Sequence, residues 1–330
     1  SMSMLKSRVD TFSYAAESQN AAQRLLIRMI ERSTGQPKLK RLYMHNRAHP
    51  EPGESFWDAA LRLLRLRVKI TTGSMDIIPA EGPAVIVANH PYGVLDGITL
   101  SWLVSQRRQD FQVLTNAVLR RAEEIRPWLL PIDFAPTREA QAINLDTRRA
   151  ADRLLGDGGV LVVFPGGAVS YTAKPFTRQA ADPVWKPFTA KLIEKHKPPI
   201  IPIYFHGQNS RLFQLASHVS MTLRLSLLFR EVARRMDGEI ALGIGQPIPV
   251  EELQACGGRQ AMMDELRRRT YAVGLSPEKI PPVPPEPRGF GPHRNKDADK
   301  GPAKLPAPKL PTPKLTDKAP SGQAAKASRG

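Results

Sequence analysis

Cysteine is nearly absent from this 330-residue chain: Cys256 is the single one. One thiol excludes an intramolecular disulfide framework and a four-cysteine zinc or iron–sulfur site, and it fits a reducing, cytoplasmic-type compartment. No uninterrupted apolar run approaches the roughly 20 residues that span a bilayer. No secretory signal is visible, and Ser1-Met2-Ser3-Met4 reads as a remnant ahead of a native start. Gly-x-Ser-x-Gly is missing, which disfavours a serine hydrolase. Gly243-Ile-Gly245 lacks the third glycine of a dinucleotide fingerprint, and there is no Gly-Lys-Ser/Thr phosphate loop. Too few ligands cluster near His90 for a metal hydrolase, and neither a metal nor a bound cofactor is expected.

Acidic residues are also scarce, 31 against 48 Lys and Arg, for a formal charge of +17. Residues 281–330 hold 12 of the 31 prolines and a net charge of +6, leaving +11 on the first 280 residues. With its Lys304-Leu-Pro-Ala-Pro, Lys309-Leu-Pro-Thr-Pro repeat, segment 281–330 reads as a disordered basic tail, either simply solvated or tethered to an anionic surface. No aromatic-interleaved basic motif points to nucleic acid, so none is expected as a partner. An anionic membrane surface is.

With hydrophobic residues at 41%, the chain can bury a sizeable core. Residues 1–73 read as an N-terminal amphipathic helical region. Ala22, Leu25, Leu26, Met29 and Ile30 share one helical face, while Arg24, Arg28 and Arg32 recur at four-residue spacing. A second stripe, Phe56, Trp57, Ala60, Leu61 and Leu64 flanked by Arg62 and Arg65, suits either a helix lying on lipid or one packed on the core. Residues 74–280 alternate between short apolar runs and helical patterns. Strands are expected at Ala84–Ala88, Phe111–Leu114, Val160–Phe164, Ile200–Phe205 and Glu239–Ile244, and helices near 97–106, 117–124, 138–156, 184–196, 211–235 and 259–273. The fold class is α/β: a mainly parallel, mixed sheet covered by helices.

Three strand ends concentrate polar residues, where open α/β sheets bind ligands. In Asn89-His90-Pro91-Tyr92-Gly93-Val94-Leu95-Asp96-Gly97, proline stops the strand and the glycines allow a turn that brings Asp96 toward His90. A histidine oriented by a carboxylate is a general base, although a histidine after a strand is as often structural. In Phe164-Pro165-Gly166-Gly167-Ala168-Val169-Ser170, backbone N–H groups can approach an oxyanion or phosphate, with Lys174 and Arg178 following; a plain turn is the alternative. Pro199–Arg211 ends in His206-Gly207-Gln208-Asn209, where His206 reads as structural, and Trp185-Lys186 adds an aromatic and a cation.

In order and spacing, Asn89-His90-…-Asp96, Phe164-Pro165-Gly166-Gly167 and Ile200-Ile201-Pro202-Ile203 resemble the motif blocks of the glycerolipid acyltransferase superfamily, which includes the lysophosphatidic acid acyltransferases. The Asn-His-Pro-Tyr-Gly-Val-Leu-Asp-Gly form, with Asp182–Phe188, Tyr204–Phe213 and Gly243–Pro249, is similar to a bacterial branch labelled haemolysin, near the lyso-ornithine-lipid acyltransferases. The resemblance spans about residues 12–275. It implies transfer of an acyl group from an acyl carrier protein or coenzyme A thioester to a lysolipid hydroxyl, at the cytoplasmic face of the cell membrane, with His90 and Asp96 catalytic. It also implies that Asn89, Gly93, Phe164, Pro165, Gly166, Gly167, Ser170, Lys174, Arg178, Lys186 and Asn209 bind substrate.

Two features depart from the superfamily. Five residues, not four, separate His90 from Asp96, as in the closer branch. The Phe-Pro-Glu-Gly-Thr-Arg block is Phe-Pro-Gly-Gly-Ala-Val, so the acid and arginine that help hold an acceptor phosphate are missing. An amino-acid-containing or zwitterionic lysolipid then fits better than lysophosphatidic acid, unless Lys174, Arg178 or Lys186 supplies the cation. An acidic carrier protein would suit the basic surface, as would anionic lipid. The rival reading is a non-catalytic lipid-binding or membrane-perturbing protein.

Overall fold

A computed structural model describes residues 51–116, 125–133, 135–219, 223–224 and 227–285, together with Arg41, His45, Ala48 and His49. The expected helices at 19–32 and 117–124, and residues 286–330 of the expected tail, lie outside the described residues.

The apolar runs form the centre of one seven-stranded sheet. Its strands are β1 (Arg67–Thr72), β2 (Ala84–Ala88), β3 (Phe111–Asn116), β4 (Leu129–Ile132), β5 (Val160–Val163), β8 (Ile200–Phe205) and β9 (Glu239–Ile244), in spatial order β1-β9-β8-β2-β5-β3-β4. A separate antiparallel hairpin joins β6 (Tyr171–Thr172) to β7 (Ala180–Ala181). From β8 to β4 every neighbouring pair is parallel; β9 runs antiparallel to β8 and parallel to β1. The sheet is therefore mixed and mainly parallel, as the alternating pattern requires.

Both faces are covered, which is why β2, β5 and β8 read as unbroken apolar runs. Ala84, Ile86 and Ala88 of β2 and Val160 and Val162 of β5 enter one core with helices α1 (Phe56–Leu64) and α2 (Val94–Ser105). Val85, Val87, Leu161 and Val163 point to the opposite core, against α3 (Arg138–Gly156), α4 (Ala190–His196), α7 (Val250–Gln254) and α8 (Arg259–Ala272). Alternation within a strand assigns successive side chains to the two layers.

Pro202 interrupts none of this. Its carbonyl accepts from Gly245 N–H (2.8 Å) on the β9 side. Its missing donor therefore faces the end of β9 rather than β2.

Several boundaries differ from expectation. The Phe56 stripe folds onto the core, with Trp57, Ala59, Leu61 and Leu64 buried, so of its two readings the packed helix holds. The helix stops at Arg65, which is left-handed (φ 51°), and Arg67–Thr72 then pairs with β9 as an edge strand inside the region expected to be helical. β1 is mostly exposed, with only Val68 and Ile70 alternating inward, too short a pattern to separate a strand from the preceding helix, and Pro131 masks β4 at the other edge. Within the expected helix 211–235 the described residues form α5 (Arg211–Ser217) and α6 (Leu228–Arg235), with a turn at His218 and Val219 after α5 and with Leu223 and Arg224 also helical. The helix expected from 184 begins at Ala190 after a single 3₁₀ turn over Pro187–Thr189. β5 ends at Val163, one residue early.

Candidate active site

The site is assembled at the carboxyl ends of the parallel strands. β2 ends at Ala88, and buried Asn89 ties that end to β8: its Nδ2 donates to Phe205 O (3.0 Å) and its Oδ1 accepts from Phe205 N–H (2.7 Å). Asn89 is thus committed to the scaffold. The chain then turns through Gly93 (φ 88°), a conformation costly for any residue with a Cβ, and α2 begins at Val94. This turn swings Asp96, in the first turn of α2, back over the strand end.

Asp96 Oδ2 accepts from the N–H groups of Tyr92 and Gly93, each at 2.9 Å, and lies 2.9 Å from His90 Nδ1. The six-residue offset therefore brings the carboxylate to the imidazole. Asp96 is fully buried. Burial pushes its carboxyl up, and the His90 ring, followed by the two backbone N–H groups, pulls it back. His90 retains 19% side-chain exposure and stacks on Phe164, ring centroids 4.3 Å apart. A carboxylate this close to Nδ1 is placed to orient the ring and favour the Nδ1–H tautomer, in which Nε2 is the atom able to take a proton.

A second buried carboxylate holds the main chain of the same histidine. Asp182 Oδ1 accepts from His90 N–H (3.0 Å) and Ser170 Oγ (2.6 Å), and Oδ2 accepts from Trp185 Nε1 (2.8 Å). Ser170 N–H in turn donates to His90 O (2.8 Å). Ser170 is accordingly a buried support for His90. Sequence reasoning missed Asp182 as a site residue; the signal available was a lone acid in an otherwise apolar, aromatic stretch.

A solvent-open cleft of about 110 Å³ lies beside the imidazole, lined by His90, Leu114, Thr115, Ile132, Val163, Phe164, Pro165, Gly167, Lys186, Phe188 and Thr189. Its wall is mainly apolar, with one imidazole, one ammonium and two hydroxyls. Five of the expected site residues line it: His90, Phe164, Pro165, Gly167 and Lys186. Leu114, Thr115 and Ile132 were not anticipated, because β3 and β4 are remote in sequence from the other strand ends; Thr189 was missed although it lies three residues from Lys186.

Other expected residues lie elsewhere. Lys174 and Arg178 are exposed on the β6–β7 hairpin and do not line the cleft. Asn209 is buried away from it. Gly167 N–H is spent on Phe164 O (3.0 Å) within its turn, so it is not an oxyanion donor. Gly166 is buried, and a Cβ there would come 3.3 Å from Asp182 Oδ2. A carboxylate thus still sits beside the Phe-Pro-Gly-Gly turn, supplied by Asp182 rather than by the turn itself. Among the described residues no group of three or more His, Cys, Asp or Glu side chains could hold a metal, and no helix is long and apolar enough to cross a membrane.

The family model described as Acyltransferase matches residues 22–278, more than half of the chain. The chain belongs to the acyltransferase family. That sets aside the non-catalytic reading. Among curated relatives, this acyltransferase is 24% identical over 205 residues to a lyso-glycine lipid O-acyltransferase of Phocaeicola vulgatus, covering 60% of this chain and 70% of that one. It is 25% identical over 213 residues to a lyso-glycine lipid O-acyltransferase of Bacteroides thetaiotaomicron, covering 62% and 74%. The crystal structure of the 1-acyl-sn-glycerophosphate (LPA) acyltransferase PlsC from Thermotoga maritima aligns over 79% of this acyltransferase and 86% of PlsC, with 15% identity and a TM-score of 0.40.

Proposed function

We propose that this acyltransferase moves a fatty acyl group from an acyl carrier protein or coenzyme A thioester to the hydroxyl of an amino-acid-containing lysolipid, of glycine or ornithine type, as a peripheral enzyme at the cytoplasmic face of the cell membrane. The observation that carries the reading is the 2.9 Å approach of His90 Nδ1 to buried Asp96 Oδ2 at the mouth of a mainly apolar cleft. Two relatives named as lyso-glycine lipid O-acyltransferases support the acceptor class.

In this mechanism Asp96 orients His90, whose Nε2 takes the proton of the acceptor hydroxyl. The hydroxyl oxygen attacks the thioester carbonyl carbon. The carbon–sulfur bond then breaks, and the sulfur leaves as a thiol with the proton returned from the imidazolium. The products are an ester and a free thiol, with no acyl-enzyme. General-base help of this kind contributes about 10²–10⁴-fold in rate. Leu114, Ile132, Val163 and Phe188 offer apolar wall to acyl chains. A head group whose amino nitrogen is acylated keeps a free carboxylate, for which Lys186 is the cation lining the cleft.

The deciding experiment supplies labelled acyl carrier protein and coenzyme A thioesters with glycine-type, ornithine-type and phosphate-bearing lysolipids. Native protein should form the diacylated amino-acid lipid. His90→Ala should abolish it with the circular dichroism spectrum unchanged, and full activity in that variant refutes the assignment.

A further inference from the structure

The hairpin β6–β7 stands on the residues that support His90. Its first foot is Ser170, whose N–H donates to His90 O, and its second is Asp182, whose carboxylate accepts from His90 N–H. Between them the chain runs out to Phe176, whose ring is 81% exposed. One exposed aromatic is ordinary by itself; it gains meaning from the exposed apolar side chains on the helix that braces its turn.

The turn is braced against α5. Arg211 Nη1 donates to Thr177 O (2.9 Å), and His218 Nε2, just beyond that helix, lies 2.8 Å from Thr172 O. The outer side of α5 exposes Leu212 (47%) and Leu215 (37%), and Val219 follows at 73%. These bonds hold the Phe176 turn against both ends of α5, the helix that carries this apolar strip. Lys174, Arg178 and Arg211 accompany it, and segments 171–181 and 211–219 contain no acidic residue. An apolar tip flanked by three cations, with no acid in its own two segments, matches the chemistry of an anionic bilayer surface: apolar side chains enter the acyl boundary and the cations meet lipid phosphates.

We propose that the Phe176 hairpin and the outer face of α5 form the membrane-docking surface of this enzyme, binding anionic phospholipid. The inference deepens the lysolipid acyltransferase reading and rests on it for its purpose: the docked hairpin is anchored in the residues that hold the catalytic histidine, so acceptors arrive from the bilayer beside the cleft.

The test uses the full chain and vesicles of phosphatidylcholine with or without phosphatidylglycerol, read by co-sedimentation. Native protein should prefer the anionic vesicles, and binding should weaken with added salt. Phe176→Asp should weaken binding about tenfold, the scale of withdrawing one aromatic from an apolar phase. Lys174→Glu with Arg178→Glu should weaken it by at least about fivefold per cation. Val283→Asp, which replaces another exposed apolar side chain, should change nothing. In parallel, Phe176→Asp should lose turnover of vesicle-borne lysolipid but keep native turnover of a short-chain, water-soluble hydroxyl acceptor.

Native-like vesicle binding by Phe176→Asp overturns the proposal, as does equal loss in Val283→Asp. Self-association in the absence of vesicles, abolished by Phe176→Asp, assigns the patch to a second copy and overturns it too. Absence of acyl transfer in native protein would instead strike the enzymatic reading, leaving the vesicle result to judge the surface on its own.

Discussion

Asp182 grips the backbone of His90 across 92 residues of sequence, Oδ1 to N–H at 3.0 Å, while Asp96 grips the ring of the same residue. Main chain and side chain thus each meet a separate buried carboxylate. Asp182→Asn would turn one acceptor into a donor facing donors from His90, Ser170 or Trp185. We expect a loss of about 2–3 kcal/mol in urea unfolding, the cost of leaving a buried donor unmet. In conditions where the variant stays folded, kcat should also fall, with KM for the thioester little changed. Native kcat in Asp182→Asn would show that the grip on the backbone has no bearing on catalysis.

Gly93 is the hinge that lets Asp96 return to His90. Its φ is 88°, and a Cβ would come within 3.1 Å of both Leu228 and Val169. Gly93→Ala should therefore combine backbone strain with a clash and destabilise by about 1–3 kcal/mol. Because the Gly93 N–H is itself bonded to Asp96 Oδ2, kcat should drop by more than stability alone explains. Paired urea melts and single-turnover rates check this.

Lys186 is the cleft cation in the proposed acceptor site. Lys186→Ala should raise KM for a carboxylate-bearing lysolipid about tenfold, the scale of one charge-assisted hydrogen bond. KM for the thioester should stay near native. An equal rise for an uncharged hydroxyl acceptor would remove Lys186 from head-group recognition.

Glu265 supplies a pH-dependent part of stability remote from the cleft. Arg268 Nε donates to its Oε2 (2.8 Å) and Arg269 Nε to its Oε1 (3.1 Å), and these guanidinium groups pull its carboxyl down to about 2 from 4.5. A lowered folded value means the native state favours the ionised form. The stabilisation is therefore complete above about 4.5 and is lost as pH falls toward about 2. Glu265→Gln should be less stable than native at neutral pH, and the gap in urea midpoint should narrow through that window. A gap that stays constant would show that the ion pairs add nothing.

Much of the fold was legible because local chemistry wrote it. The fully buried runs at β2, β5 and β8 can only be strands covered on two faces. Edge strands were not legible. β1 places polar residues in the open and β4 contains Pro131, so each takes its identity from the neighbour it pairs with, Ala241 beside Lys69 and Thr115 beside Pro131. The end of α5 at Ser217 was likewise hidden in a stretch rich in helix-compatible residues.

The sequence by itself determined the His90–Asp96 pair, because a strand end, a proline, a glycine turn and a helix start lie within seven consecutive residues and their geometry is set locally. Only the tertiary structure decided which residues surround that pair. β5 inserts between β2 and β3, and this order brings Thr115, Ile132 and Lys186–Thr189 to one cleft. It also brings Asp182 under His90 and sends Lys174 and Arg178 out to the exposed hairpin. Strand order depends on which apolar faces bury each other across long loops, and no short window of sequence records that choice.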